Sequence, residues 1–565
     1  MANLIENAKN QINTLMAEAC ARAVEKELFP ADAKLNGTVE IPKDQRNGDY
    51  AANHAMAGAK ALHMAPRKIA ETLVDNMALE GSYFDSVEIA GPGFLNFRVS
   101  PNWYAAVLRA VEAEGADYGR SEKRTGERVM VEFVSANPTG PMTIGNARGG
   151  VLGDTLATVL DMAGCDAYRE FYVNDAGNQV DKFDRSIEAR YIQLLRGEDA
   201  VEFPEDGYKG EDIRELAQEI IDAHGEEFLN VPAEERRKAF ETYALPKNID
   251  LMRQHLERYR IRFDNWFLES SLHKSGYVAE TVALLEQGGH TYEKDGALWL
   301  RNTDFGAEKD EVLRRSNGFY TYYAVDIAYH RNKFVERGFD RVIDVLGADH
   351  HGHAIRFGKS MTAPGLGLQE KKLDFLIMQM VRLVREGETV KVSKRSGKAL
   401  TLNDLLDEIG VDACRFFFNA KPDTHLEFDL DLAVREDSEN PVYYVQYAHA
   451  RICSLLNMLS AEGHPVPPVS EIDVALLSTE QELELIKQLS AFPEEIQMAA
   501  RDYDPSRVNR YVIELAARFH RFYNACRIRE AEENVQKARL ALCAAVRSVI
   551  ATALTVIGVS APEKM

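Results

Sequence analysis

Apolar and polar positions along residues 129–154, VMVEFVSANPTGPMTIGNARGGVLGD, predict a strand, a turn and a helix in succession. Val129, Val131 and Phe133 recur at every second residue, as one face of a strand requires. SANPTGP then clusters breaker residues, and Ile144 to Gly153 reads as the first turns of a helix rich in small residues. A second unit follows: Tyr168 to Val173 predicts a strand, and Asn-Asp-Ala-Gly its turn. Residues 187 to about 255 are charged and helical in pattern, as an insertion into a sheet would be. The α/β pattern restarts at 264–290. Residues 297–306 alternate as a strand-pair edge, an apolar strand is predicted from Val342 to Leu346, and a last core strand at 376–384.

The flanks differ in period. Leu4, Ile5, Ile12, Leu15, Met16 and Val24 give residues 2–29 helical spacing, with Pro30 as a stop. Pro66 opens a second helix. FDSVEIAGPGFLNFRVS predicts two alternating strands about the turn at 91–93, with Asn96 read as the surface position and Phe94 and Phe97 as core if they face the sheet interior. Beyond residue 401 helical patterns dominate, including a long amphipathic helix starting at Pro441 and three more after it. The expected fold class is α/β: a parallel-sheet core (121–400, insertion about 187–255), an N-terminal α+β domain (1–120) and a C-terminal all-α bundle (401–565).

Composition narrows the picture. The chain has 565 residues and a formal net charge of −22, awkward for a general nucleic-acid binder, although a selective binder of one folded RNA can use local basic patches. Six cysteines without a CxxC read as free thiols of a reducing compartment, and argue against a cysteine-based zinc site. No run of 18 apolar residues occurs, and the opening MANLIENAKNQ does not read as a signal or transit peptide.

Candidate chemistry gathers in four stretches. A strand running through a turn into a helix presents bare backbone N–H groups, a cradle for phosphates. Asn137, Thr139, Thr143, Asn146 and Arg148 could assist there, and Gly145 and Gly149 would admit a close approach. The same residues also describe an ordinary βα corner, since neither GxxxxGK[ST] nor GxGxxG is present. The loop GETVKVSKRSGKAL (387–400) carries Lys391, Lys394, Arg395 and Lys398, which gather an anion or form a solvated basic turn. After the turn Asn317-Gly318, Tyr322, Asp326, Tyr329 and His330 recur on one helical face. A carboxylate and a phenol one turn apart suit a planar cation, with Glu132 as a second acid if both elements border one pocket. Tyr323 and Tyr329 are expected in the core. GADHHGH (347–353) ends a strand; residues 349–351 are too close together to share one metal ion, which favours a ligand-binding rim.

The pairing of TIGN (Thr143–Asn146) with KVSKR (Lys391–Arg395) resembles the two signatures of class I aminoacyl-tRNA synthetases. GDYAAN, VEIAGPGFLNFRVS, NGFYTYYAVDIAY, YYVQYAHARI, RFHRFYNACRI and the ending IGVSAPEKM resemble arginyl-tRNA synthetases of the bacterial type across residues 1–565. The resemblance implies a Rossmann-type core that activates L-arginine with ATP to arginyl-adenylate, then transfers it to the terminal ribose of tRNA(Arg). It implies catalytic roles for Thr143, Asn146, Lys391 and Lys394. ATP would be held by Thr139, Gly145, Gly149, Gly347, Asp349, Ser393 and Arg395, and arginine by Glu132, Asn137, Tyr322, Asp326 and His350. Phe94, Asn96, Arg451 and Met565 become tRNA contacts, with Arg507, Arg510 and Arg521 as further exposed candidates. Mg²⁺ would accompany ATP and no zinc is expected. The chain would be a cytoplasmic monomer without a membrane, activating arginine only with tRNA bound. The family usually has His at positions 143 and 146, where this chain has Thr and Asn; a non-catalytic tRNA-binding relative is the alternative reading.

Overall fold

The computed structural model describes residues 3–390, 400–420 and 424–565. Five parallel strands form its central sheet, in the spatial order Lys372–Met378, Arg341–Gly347, Arg128–Glu132, Asp166–Val173, Asn265–Leu268. The first and fourth strands along the chain are therefore neighbours, and the order reverses between them, which opens a crevice at their C-terminal ends. Val129, Met130 and Val131 are all fully buried. The first strand is thus covered on both faces, as a central parallel strand must be. The helix Ile144–Met162 lies directly on this strand because Gly153 leaves room for the Phe133 ring, which a Cβ there would overlap.

One predicted element divides. Residues 376–384 are not one strand: Lys372–Met378 ends the parallel sheet, and Val381–Arg385 pairs with Leu426–Asp429 and Glu388–Thr389 in a separate sheet. Between them the chain turns over Arg148. Its fully buried guanidinium donates to the carbonyls of Gln379 (2.5 Å), Met380 (3.3 Å) and Thr424 (3.0 Å). Arg148 is therefore a structural donor at this bend and does not face the cradle.

The insertion contains the helices Asn178–Arg196, Glu211–His224 and Ala233–Arg258, packed about their own core of Phe183, Tyr191, Ile213, Ile220 and Phe240. Asp184 is 5% exposed there, and its Oδ1 has no hydrogen-bond partner. Burial, with Glu241 and Asp181 nearby, pushes its carboxyl up to about 8. A carboxyl raised on folding favours the folded state most below its unfolded pKa and loses that advantage as pH rises through the folded value. Asp184→Asn should therefore raise thermal stability at pH 8, by about 1–3 kcal/mol, and by less at pH 5, nearer the unfolded pKa. Calorimetry of both proteins at the two pH values checks this; an equal shift at both would contradict it.

In the N-terminal region a four-stranded antiparallel sheet, ordered Val39–Glu40, Tyr50–Ala52, Phe94–Val99, Phe84–Ala90, is backed by the helices Leu4–Glu25, His54–Leu62 and Pro66–Asp75. Asn96, expected at the surface, is buried. Its strand is internal to the sheet, and Gly48, at φ +91°, brings backbone over it, so that a Cβ on Gly48 would stand 3.2 Å from that of Asn96. Phe94, at the hairpin end, is half-buried.

Beyond residue 400, Leu402–Ile409 and Val411–Asn419 lead into the long helices Pro441–Ala461, Glu480–Asp502, Ser506–Ala525 and Glu533–Val556. Glu533–Val556 is long and apolar enough to cross a membrane, but the bundle buries its Leu542, Val546, Val549, Ile550 and Leu554 completely. Arg451 is half-buried, its guanidinium 4.1 Å from the Tyr523 ring centroid. Arg507, Arg510 and Arg521 are engaged by Glu495, Asp504 and Glu514. Met565 is 54% exposed. All six cysteines are buried and free.

Candidate active site

A cavity of about 1120 Å³ occupies the crevice between the first and fourth strands. Its first wall is the turn after Glu132. Val134 and Ser135 adopt left-handed backbone, at φ +67° and +41°, which for a β-branched valine is a rare and costly conformation. Ser135 holds the kink: its Oγ donates to Glu132 Oε1 (2.9 Å) and accepts from the Tyr172 N–H (3.2 Å). The turn then carries Asn137, Thr139 and Gly140 along the cavity to the helix that begins at Ile144.

Thr143 is the N-cap of that helix. Asn146 Oδ1 accepts from the Thr143 N–H (2.9 Å) and lies 2.9 Å from Thr143 Oγ1, while Oγ1 accepts from the Asn146 N–H (3.5 Å). This reciprocal cap, worth about 0.5–2 kcal/mol, orients the exposed N-terminus toward the cavity. Thr401, the second residue after the undescribed part of the basic loop, forms a β-bridge with Thr143, and the Leu402 N–H donates to Met142 O (3.0 Å). Thr401 lines the cavity and caps its own helix in the same way, with Asp404. The downstream end of the basic loop is thus tied to TIGN. Lys391, Ser393, Lys394 and Arg395 lie outside the described residues.

The opposite wall is acidic. Asp326 and His330 on the helix Tyr322–Arg331, and Asp344 on the fourth strand, face the cavity with Glu132. Lys333, fully buried, sits among three of these groups: its Nζ donates to Glu132 Oε2 and to Asp344 Oδ1 (3.2 Å), and lies 3.3 Å from His330 Nε2. His330 Nε2 is also 2.8 Å from Asp344 Oδ2. Burial pushes the Glu132 carboxyl up against the pull of Lys333. At Asp344 burial acts the same way, but Lys333 and His330 override it and hold the carboxyl well below its usual range. Burial works against the Lys333 charge, and the two carboxylates outweigh it, so the ammonium is held above its ordinary value. Asp326 has the His353 ring 3.3 Å away and, among the described residues, no lysine or arginine in its ion pairs.

Glu132, Asn137, Asp326 and His350 therefore share one cavity with Thr139, Thr143, Gly145, Asn146, Gly149, Gly347 and Asp349. Tyr322 does not join them. It is 66% exposed, its ring 5.9 Å from that of His353, and it lines a neighbouring pocket with Trp299, Lys309 and Arg315. Tyr323 and Tyr329 are buried, yet Tyr329 also lines the cavity, its hydroxyl donating to Glu170 (2.6 Å). Sequence reasoning missed Lys333, Asp344, Ser135 and Tyr172. It also missed Tyr208, Glu211, Asp212 and Glu215, which the insertion contributes to the rim. The insertion is moored to the turn by Asn248, whose Nδ2 donates to Pro138 O (2.8 Å). For Lys333 a signal existed: it stands four residues after Tyr329 and three after His330, on their face of the helix.

Three family models match the chain: the arginyl tRNA synthetase N terminal domain over residues 10–99, the tRNA synthetases class I (R) catalytic domain over 108–436, and the DALR anticodon binding domain over 445–565. The arginine--tRNA ligase of Acetivibrio thermocellus is 52% identical over 566 residues, covering 100% of both chains. That of Caldanaerobacter subterraneus subsp. tengcongensis is 51% identical over the same coverage. A candidate arginyl-tRNA synthetase structure from Campylobacter jejuni superposes with a TM-score of 0.75 at 34% identity, over 83% of this chain and 100% of its own. The Thermus thermophilus arginyl-tRNA synthetase shares the fold, with a TM-score of 0.69 at 24% identity over 99% of this chain and 100% of that one. A parallel sheet with its cavity at the switch point and a matching catalytic-domain model define a class I aminoacyl-tRNA synthetase. Full-length identity of about half narrows the class: the chain belongs to the arginyl-tRNA synthetase family.

Proposed function

We propose that the cavity performs the ATP-dependent ligation of arginine to tRNA(Arg), with ATP against the helix N-terminus and arginine against the acidic wall. The observation that carries this arrangement is the opposition of the helix N-terminus at Thr143 to Asp326 and Glu132 in one cavity. An arginine carboxylate oxygen attacks the α-phosphorus of ATP; the new P–O bond forms as the bond to the β-phosphate oxygen breaks, and pyrophosphate leaves. A ribose hydroxyl of the tRNA terminus then attacks the adenylate carbonyl carbon, and AMP departs with the bonding electrons. These steps need aligned reactants and fixed donors where phosphate charge develops. Thr139, Gly145, Gly149, Gly347 and Asp349 take the nucleotide; Asn137 and His350 take the amino acid's main-chain end; Asp326 takes the guanidinium, with Glu132 beside it. Tyr322, which lines the neighbouring pocket, is left out of this assignment.

Mg²⁺ would arrive with the ATP phosphates. The one grouping of three potential metal ligands among the described residues, Glu132, His330 and Asp344, already surrounds the Lys333 ammonium. A metal there would have to displace a buried cation, so these residues do not fit it. Residues 1–120 are assigned to the tRNA elbow through the half-buried Phe94 at the hairpin end, the buried Asn96 being set aside as a contact, residues 121–400 to catalysis, and residues 401–565 to the anticodon through Arg451 and Met565. The working form is a cytoplasmic monomer free of membrane.

Lys394→Ala tests the two-sided arrangement. Removing a charge that follows the phosphates into the transition state should lower adenylate formation roughly 10²-fold, mainly in kcat. Stopped-flow measurement with tRNA present decides it: a wild-type rate in K394A would remove Lys394 from the activation step, and no adenylate from the wild-type chain would favour a non-catalytic tRNA-binding role.

A further inference from the structure

An ammonium with no exposed surface beneath a cavity is costly to keep. Replacing a buried ion-paired group by apolar residues of similar volume is often neutral or stabilising, so stability alone does not account for Lys333. Its setting is specific. The α-helix Tyr322–Arg331 passes into a π-helical turn, Asn332–Glu336, a distortion found mostly at functional sites. That turn places the Lys333 Nζ 4.2 Å from the Tyr329 ring centroid and directs it at the Glu132 and Asp344 carboxylates. Glu132 is held at both oxygens, by Lys333 at Oε2 and by Ser135 at Oε1, and still lines the cavity. A carboxylate accepts up to about four hydrogen bonds, so Glu132 keeps acceptor capacity for a ligand.

We propose that Lys333 is a positioning residue for arginine recognition: its buried ammonium keeps Glu132 ionised and turned into the cavity, so that the guanidinium meets two carboxylates, Glu132 and Asp326. This rests on the reading of the cavity as the arginine site. The groups facing Glu132 are Lys333 from the π-turn, His330 and Tyr329 from the helix, Asp344 from the fourth strand, Tyr172 from the second strand and Ser135 from the turn. Lys333 is the one fixed cation among them. Burial and Asp344 both push the Glu132 carboxyl up, so without the ammonium it holds a proton to higher pH. The sign follows: below the raised pKa Glu132 is neutral, and arginine binding weakens as pH falls.

The test is arginine-dependent ATP–pyrophosphate exchange by the full chain, with tRNA present, between pH 6.5 and 9. In Lys333→Met the arginine KM should rise about tenfold at pH 6.5, the effect of one pKa unit, and approach the wild-type value near pH 9, with kcat changed less than KM. Glu132→Gln, which cannot ionise, should raise KM by a similar factor at every pH. In the double variant K333M/E132Q the two losses should not add, because Lys333 acts through Glu132. A KM for E132Q equal to wild type overturns the proposal whether or not K333M folds, as does a K333M profile parallel to wild type. Absence of arginine-dependent exchange in the wild-type chain would instead overturn the reading of the cavity itself.

Discussion

Asp326→Ala is expected to lower kcat/KM for arginine by about 2–5 kcal/mol, the cost of leaving one member of an enclosed charge pair without its partner. Three acids stand at the cavity's base, and their surroundings set them apart. Glu132 and Asp344 already share the Lys333 ammonium, and Asp344 also meets His330. Asp326 meets the His353 imidazole, whose ring is stacked on Phe357 at 10° between planes. Its carboxylate is thus the acid least neutralised by the protein, and the one an incoming guanidinium gains most by pairing. The loss should fall on arginine KM before kcat, because the contact is made in the ground state as well as in the transition state. Asp326→Asn, which keeps the shape and one acceptor, should recover only a small part. Steady-state exchange kinetics with arginine varied would settle it, and unchanged constants in D326A would remove Asp326 from substrate binding.

The strand-turn-helix at 129–154 was legible because three local signals agree there: apolar period, breaker cluster and small-residue helix. That Thr143 and Asn146 cap each other was written in the T-x-x-N spacing, but a capping pair and a phosphate ligand use the same side-chain types, so local pattern could not rank the roles. The structure shows both residues occupied by the cap, and Thr143 also bridged to Thr401. A histidine at 143 would therefore exchange a cap for an imidazole. The spacing of Lys333 from Tyr329 and His330 was a weak signal, because a lone lysine ordinarily reads as solvated; the π-turn and the two distant carboxylates are what bury it. Asn96 failed for the converse reason. Strand alternation assigns faces but does not say that Gly48 brings backbone over one of them. The break at Gln379 and Met380 depends on Arg148, more than 200 positions away in sequence.

Arg415→Met should cost about 3–5 kcal/mol of stability, the range for breaking a buried, hydrogen-bonded charge, and should uncouple the bundle from the catalytic core. The Arg415 guanidinium is fully buried and joins four segments. It donates to Asp154 Oδ2 (2.6 Å) on the helix that TIGN begins, to the carbonyls of Tyr259 (3.0 Å) and Arg260 (3.2 Å) at the end of the insertion, and to Ile557 O (2.8 Å) beyond the last helix of the bundle. Gly558, at φ +67°, makes room for it; a Cβ there would overlap the guanidinium. Methionine fills a similar volume but satisfies none of these acceptors. Asp154 keeps Arg169 (3.0 Å), so the acid is not abandoned, and the penalty falls chiefly on the buried carbonyls. Lysine should rescue poorly, since a single ammonium cannot span three directions. Gly558→Ala should mimic the defect from the other side, through overlap and an unfavourable left-handed alanine. In scanning calorimetry the wild-type chain should unfold with the bundle and core coupled. R415M and G558A should each separate a lower transition belonging to the bundle, with arginine KM in exchange assays near wild type at low temperature. A single unshifted transition in R415M would mean that the domains are held by apolar packing alone, and that this guanidinium adds nothing to their docking.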